Sequence, residues 1–267
     1  MLSLITVNYN CSNVIEKLLH SIASIMPARS ELIEFIVVDN FYSKDEYLRV
    51  KELECSYSFL RVIESNDNVG FAKANNMGAS QAKNDYILFI NPDCILNGNV
   101  FEEIQTIIKQ GNETPFFFPL TDVNGNNVLF EFRFPFLSHF LKKSDWRWYT
   151  GANLLINKAT FNTVGKWPED YFMYSEDTDL HYNILLKGIK INIAKSKIIH
   201  IGNASASTVW NPLSRERRVF NSMMRFAVKH HKKTDFLIYY ILVTCSFLFK
   251  RPSYAYLRIK AMIGIKE

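Results

Sequence analysis

The sequence predicts an α/β fold, with a mostly parallel central sheet, flanking helices and a helical C-terminal extension. Three observations carry that expectation. Short runs rich in β-branched and aromatic residues alternate with helix-like stretches through the first 120 residues, as in parallel strands joined by crossover helices. Each apolar run ends in polar residues, which suits strands whose carboxyl ends open on a ligand-binding rim. The charge is also divided: of 31 Lys or Arg and 26 Asp or Glu in 267 residues, the segment 215–267 holds twelve bases and three acids.

The elements follow in order. Leu2 to Asn8 is the first expected strand. Asn13 followed by Glu16 resembles a capping box, and Ile15, Leu18, Leu19, Ile22 and Met26 recur at helical spacing up to Pro27. Further strands are expected over Glu34 to Asp39, Phe59 to Glu64 and Asp85 to Ile90, so that Asn8, Asp39, Asn66 and the turn Asn91 to Asp93 share one rim. A polar loop from Asn66 runs into a helix whose inner side carries Phe71, Ala74, Gly78 and Ala82. The stretch Thr121 to Tyr149 is aromatic-rich, including Phe140, and without a single period; it is expected to be irregular and to flank an acceptor site. Gly151 to Asn157 then suits a strand, Lys158 to Val164 and Ser175 to Lys187 helices, and Ile189 to Ala194 the last sheet strand.

A length of 267 residues with 48% apolar content suits one catalytic domain, expected over 1–214, with an appendage over 215–267. The first 214 residues are net acidic, so a nucleic-acid partner is not expected, whereas the basic tail suits anionic phosphate or lipid. Phe236 to Phe249 are fourteen uncharged residues flanked by Lys232, Lys233, Lys250 and Arg251. A span needs about twenty, so this segment is expected to lie on a surface or dock as a core helix rather than cross. The four cysteines Cys11, Cys55, Cys94 and Cys245 stand at no zinc or redox-motif spacing. With neither a basic leader nor a cleavage site near Met1, a cytoplasmic location is expected.

Several residues suit chemistry. Asp93, in Asn91-Pro92-Asp93, offers a hard oxygen ligand for Mg²⁺ or Mn²⁺, although the tripeptide equally suits a plain turn. His200, in an apolar run after the last strand, is either a core histidine or a second ligand to the same cation. Ser175-Glu176-Asp177-Thr178-Asp179 opens a helix, where Ser175 can cap and the acids complement the dipole. Asp177 also suits a general base, with Glu176 orienting it or an acceptor. Lys73 near a helix N-terminus suits a diphosphate or nucleobase, and Asp39 suits a pyrimidine imide N–H.

With those residues in hand, the chain resembles the family-2 glycosyltransferases of GT-A fold, a Rossmann-like architecture, and within them the bacterial rhamnosyltransferases of O-antigen and capsule assembly. The resemblance rests on seven motifs in order over about residues 1 to 230: ITVNYN, EFIVVDN, ESNDNVGFAKANNMG, YILFINPD, TGANLLI, DYFMYSEDTDL and HIGNAS. It implies an inverting, metal-dependent hexosyltransferase, with rhamnose from dTDP-rhamnose as the first donor to consider and a UDP-sugar as the alternative. The nucleotide-sugar half would span about 1–120 and draw on Thr6, Asn8, Asp39, Asn68, Gly70, Lys73, Asn91 and Asp93. The acceptor half, about 121–214, would present Trp148, Gly151, Ala152 and Asn153 to a lipid-linked oligosaccharide. Asp93 and His200 would bind Mg²⁺ or Mn²⁺, Asp177 would be the base with Glu176 beside it, and the tail would rest on the inner face of the bacterial cytoplasmic membrane. Phe41, Tyr42 and Pro168 depart from the pattern, as does Asn91 where metal-binding relatives often carry a second acid. A nucleotide-sugar pyrophosphorylase or dinucleotide enzyme lacks its GxGxxG after the first strand, and a silent binding subunit sits poorly with Asp93, Asp177 and His200 all present.

Overall fold

A computed structural model describes residues 1–25, 33–137, 146–202 and 211–264. The elements run β1 Leu2–Asn8, α1 Ser12–Ile25, β2 Ile33–Asp39, α2 Lys44–Glu52, β3 Leu60–Glu64, α3 Phe71–Gln81, β4 Tyr86–Ile90, β5 Cys94–Ile95 and α4 Gly98–Lys109. They continue with β6 Phe116–Phe117, β7 Leu120–Thr121, β8 Asn127–Val128, β9 Glu131–Arg133, β10 Arg147–Tyr149, β11 Asn153–Asn157, α5 Lys158–Thr163, α6 Glu176–Leu186, β12 Asn192–Ile193 and β13 Ile198–His200. Three helices close the chain: α7 Pro212–Lys229, α8 Lys233–Lys250 and α9 Pro252–Ile263. Met26, Pro27, Phe140, the Asn203–Ser205 end of HIGNAS and Glu267 lie outside the described residues.

Among the described residues the main sheet has the order β12-β6-β11-β4-β1-β2-β3. It is parallel from β4 to β3, while β11 runs antiparallel to both β4 and β6. Burial on both faces explains strands apolar at every position rather than at alternate ones. In β1, Leu2 and Leu4 pack on the side of α1 and α4, and Ile5 and Val7 on the side of α3, α5 and α6. Gly78 sits where α3 presses on the sheet, and a Cβ there would stand 2.6 Å from the Ile5 methyl. The mostly parallel sheet with helices on both faces is the architecture the sequence predicts.

Local details correct the reading. The Asn13–Glu16 capping box is absent: α1 starts a residue earlier, and the Glu46 carboxylate accepts from Ser12 N at 2.6 Å and Ser12 Oγ at 2.9 Å. A long-range carboxylate thus replaces the local cap. Ser175 does not cap α6 with its side chain, because it is left-handed at φ 71°. The expected last strand shortens to β12 at the sheet edge, and His200 lies within a strand, β13, of a second sheet ordered β5-β13-β7-β8.

The aromatic middle stretch supplies a third core. Phe134 and Phe136 are fully buried with Tyr171, Tyr182, Phe220, Phe226 and Phe236. The expected boundary after Ser214 falls inside α7, whose Phe220 and Phe226 belong to this core. The three last helices are fastened by Arg258 of α9. Its guanidinium stacks on the Tyr240 ring at 3.8 Å, donates to Thr244 Oγ1 at 2.9 Å and pairs with Glu216 of α7 at 3.3 Å. In α8, Phe236, Tyr240 and Thr244 turn inward at four-residue spacing, while Ile238, Ile241, Leu242, Leu248 and Phe249 are exposed, Phe249 at 93%.

Candidate active site

The rim at the carboxyl ends of β1, β2 and β4 is built from side-chain amides. Asn8 Nδ2 donates to Asp39 Oδ1 at 2.6 Å, and Asn8 Oδ1 accepts from Cys11 N. Both ends of Asn8 are therefore committed to holding Asp39 and the start of α1. Asp39 is fully buried, and its Oδ2 has no partner. Burial pushes its carboxyl above the usual range, against the hydrogen bond from Asn8. Thr6, one pleat further in, is also buried with an unpartnered hydroxyl. A buried acceptor without a donor costs on the order of 1–3 kcal/mol, so Asp39 Oδ2 marks a place where a ligand N–H would be gained.

Asn40 links this rim to the loop before α3. Its amide donates to Asn68 Oδ1 at 2.9 Å, and its Oδ1 accepts from Val69 N at 2.9 Å; Asn68 Oδ1 also accepts from Gly70 N. Gly70 adopts φ 84°, and a Cβ there would collide with the Phe172 carbonyl oxygen, which instead accepts from Phe71 N. Lys73 is exposed on the following turn, and Asn66 is exposed in the loop.

After β4, the turn Asn91 to Asp93 is held by Asn91 N donating to Ala152 O at 2.8 Å. Pairing of β13 with β5 sets His200 opposite Cys94, and Ile201 N donates to Asp93 O. His200 Nε2 then lies 3.2 Å from Asp93 Oδ1 without forming a hydrogen bond. The buried Cys94 Sγ is in the same cluster, within 4.8 Å of both. Burial, with the adjacent Asp93 charge, drives its thiol well above its usual value, and the thiol donates to Ala152 O. A neutral, core-facing thiol is a poor ligand, which leaves one carboxylate oxygen and one imidazole nitrogen as donors. A buried imidazole nitrogen facing a carboxylate without a hydrogen bond fits a divalent cation completed by substrate oxygens.

Asp177 stands in the first turn of α6. Its Oδ2 accepts from Gly151 N at 3.2 Å, and its Oδ1 from Thr178 N at 2.7 Å. Gly151 faces the Asp177 Cβ, the Phe71 ring and the Trp167 ring. Burial raises the Asp177 carboxyl despite these donors. Glu176, buried with an unpartnered Oε2, is raised by burial and by the charge of Asp177. The pair is therefore set to hold one proton between them more readily than two isolated carboxyls would. Ahead of it, Tyr174 and Ser175 both adopt φ 71°, a strained approach that costs on the order of 1–3 kcal/mol per residue.

Of the expected acceptor residues, Asn153 is buried with its amide exchanging two hydrogen bonds with the Phe118 backbone, and Ala152 is buried with its carbonyl engaged. Trp148 is half-buried, stacked on Phe132 at 4.5 Å, its indole N–H donating to Arg133 O. Sequence reasoning missed Asn40, which sat unused inside the EFIVVDN motif, and the fate of Asp179. That carboxylate, fully buried, receives His230 Nε2 at 2.6 Å, Lys229 Nζ at 2.7 Å and Tyr171 OH at 3.0 Å. Burial opposes its charge, yet those donors and their charges hold it below the usual carboxylate range.

The Gly151–Ala152 dipeptide joins the two clusters. Gly151 N holds Asp177, and the next carbonyl, Ala152 O, holds Asn91 two residues before Asp93. Consecutive Cα atoms stand about 3.8 Å apart, so Asp177 and the Asn91–Asp93 turn are tied to one short piece of backbone.

The family model for glycosyl transferase family 2 matches residues 3–167. The chain is 28% identical to the rhamnosyltransferase WbbL of Escherichia coli over 72% of this chain and 80% of that one. It is 27% identical to the low-salt glycan biosynthesis hexosyltransferase Agl10 of Haloferax volcanii over 71% of this chain, spanning 63% of that relative's length. Among solved structures, TarS of Staphylococcus aureus with UDP-GlcNAc aligns over 97% of this chain and 79% of its own, with TM-score 0.63 and 20% identity. A mannosyltransferase from Pyrobaculum calidifontis with GDP-Man and Mn²⁺ aligns over 98% of this chain and 86% of its own, at TM-score 0.65 and 13% identity.

Proposed function

The chain belongs to glycosyl transferase family 2, and from that premise we propose that it is an inverting hexosyltransferase that moves a sugar from a pyrimidine nucleotide diphosphate to a hydroxyl of a lipid-linked glycan. The observation that supports this reading best is the Gly151–Ala152 tie between the half-buried Asp177 carboxylate and the turn bearing Asp93. In this reading a proton acceptor and a cation site, tied to one short piece of backbone, serve the two ends of one reacting bond.

In this reading the imide N–H of thymine or uracil donates to the unpartnered Asp39 Oδ2, and Thr6, Asn68, Gly70 and Lys73 line the nucleotide. Asp93 and His200 would hold Mg²⁺ or Mn²⁺, which neutralises charge on the diphosphate. Asp177 takes the acceptor hydroxyl's proton as its oxygen bonds to the anomeric carbon; the opposite C–O bond breaks, and its electron pair leaves with the nucleotide diphosphate. Its raised carboxyl suits that exchange near neutral pH. Glu176, neutral beside it, donates to the acceptor, and Trp148 with Gly151 borders the acceptor path.

The relatives named above act with different sugars. The pocket chemistry favours a pyrimidine base, and rhamnose from dTDP-rhamnose is the first choice. A donor panel tests this with purified protein, Mg²⁺ or Mn²⁺ and a prenyl-diphosphate sugar acceptor. Nucleotide diphosphate should be released from dTDP-rhamnose or a UDP-hexose, and chelation should abolish release. Turnover of GDP-mannose alone, or of no donor, would overturn the reading.

The exposed apolar face of α8, flanked at the helix ends by Lys232, Lys233, Lys250 and Arg251, supports peripheral attachment to an acidic membrane surface. Among the described residues no helix is long and apolar enough to cross a bilayer. The double variant Leu242→Glu, Phe249→Glu should cosediment with acidic vesicles about tenfold more weakly, from the lost apolar burial; equal sedimentation would remove the membrane from the proposal.

A further inference from the structure

The segment 170–175, which delivers Glu176 and Asp177, is gripped from outside the catalytic half. From α7, Ser222 Oγ donates to Met173 O at 3.0 Å, Arg225 donates to Asp170 O, and Lys229 pairs with the Asp170 carboxylate at 2.7 Å. The same Lys229, with His230 at the helix end, holds Asp179 two residues beyond Asp177. Phe226 packs face to face on Phe136 at 5.3 Å and edge-on against Tyr182 at 5.5 Å, anchoring α7 and α6 in one core. On its other side, the segment meets α3 through Phe172 O.

Two left-handed residues in succession do not hold themselves. Tyr174 and Ser175 would relax to ordinary backbone angles if released, turning the start of α6 and Asp177 with it. Ties on both flanks of the strained pair, at Met173 and at Asp179, are what over-determines it. We propose that α7 is a brace for the catalytic carboxylates, with Lys229, His230 and Ser222 as positioning residues that fix Asp177 through Asp179 and the 170–175 segment. This rests on Asp177 being the base, and it adds a part of the basic tail to the reaction. Neither Lys229 nor Ser222 touches the Asn8–Asp39 pair, and the segment meets the nucleotide loop through the backbone of Phe172, ahead of the strained pair, so the brace acts first on the base.

The test compares Lys229→Met, Lys229→Arg and the milder Ser222→Ala with the full-length wild type, measured well below each melting temperature. A displacement of about 1 Å at a reacting group lowers rate by up to about 100-fold, so Lys229→Met should lose at least tenfold in kcat with unchanged KM for the donor and unchanged nucleotide affinity. Lys229→Arg should restore most of the rate, and Ser222→Ala should lose a few-fold. Hydrogen exchange in Lys229→Met should quicken over residues 170–180 and stay constant over 2–8 and 33–39. Unchanged kcat in folded Lys229→Met, with or without faster exchange, overturns the brace; so does parallel loss of kcat and nucleotide affinity. A wild type that turns over no donor counts instead against the transferase reading, and unchanged exchange over 170–180 would then sink the brace independently.

Discussion

Asp39, fully buried, and Asp177, partly buried, are carboxylates held by different means. Asp39 ends a regular strand, and its support is an asparagine on the neighbouring strand in direct register, Asn8 opposite Asp39. Asp177 lies just after two left-handed residues, and its surroundings come from Gly151, from Phe71 of α3 and, through Asp179, from Lys229 of α7. A carboxylate can thus be presented by sheet register alone, as at Asp39, whereas the placing of Asp177 draws on strain plus distant ties. The first arrangement tolerates local change; the second transmits it.

The largest effect should come from the strained side. Asp177→Asn keeps the shape but removes the basic oxygen, and transfer should fall by about 10²–10⁴-fold. Nucleotide affinity by calorimetry should stay within about twofold, and coupled loss of both would erase the contrast between the two carboxylates. In the wild type, the rate should decline as pH drops through the raised range of Asp177, because the protonated form accepts nothing. A flat acidic limb would remove Asp177 as base.

A smaller effect is expected on the regular side. Asp39→Asn replaces an acceptor by an amide, and losing a hydrogen bond to a charged acceptor, worth about 1.5–3 kcal/mol, should raise the donor KM roughly tenfold or more with kcat nearly intact. A fall in kcat at unchanged KM would show that this carboxylate, too, serves the chemical step.

The smallest effect concerns Glu176. Its carboxyl is raised in the folded protein, so the folded chain binds a proton that the unfolded chain releases, and stability is lost as pH climbs through that interval. Glu176→Gln mimics the neutral acid and should melt at a temperature equal to wild type in acid and higher at pH 8. It should also keep transfer within a few-fold. A lower melting point at pH 8 would mean that Glu176 is charged and paired, and the division of roles between neighbours would have to be redrawn.

How much of this could be read from the residues alone follows the same divide. Strands β1, β2 and β4 and their polar ends were legible because an apolar run closed by Asn or Asp is a local signal. The pairing of Asp93 with His200 was legible only on the condition that the expected last strand, Ile189 to Ala194, lay beside the Asp93 loop; that strand is instead β12 at the sheet edge, and it is β13, pairing with β5, that brings His200 to Asp93. The run Ser-Glu-Asp-Thr-Asp looked like one capping cluster because a sequence carries no sign of facing; in the fold Asp177 turns to Gly151 and Asp179 to Lys229 and His230. Cys94 illustrates the opposite failure. Its spacing gave no ligand pattern, since a strand pairing and not a local motif brings it beside His200.

The cation of Arg258 has an outcome for anyone who wants a shorter protein. Cutting the chain between α7 and Arg258 leaves the buried Glu216 with phenolic neighbours at best, and a stranded internal anion costs about 3–5 kcal/mol. Since that anion sits on the helix that reaches Asp179, a trimmed version would show slowed transfer for reasons unrelated to lipid. Any claim that the last two helices only moor the enzyme must come from single surface exchanges, not from scissors.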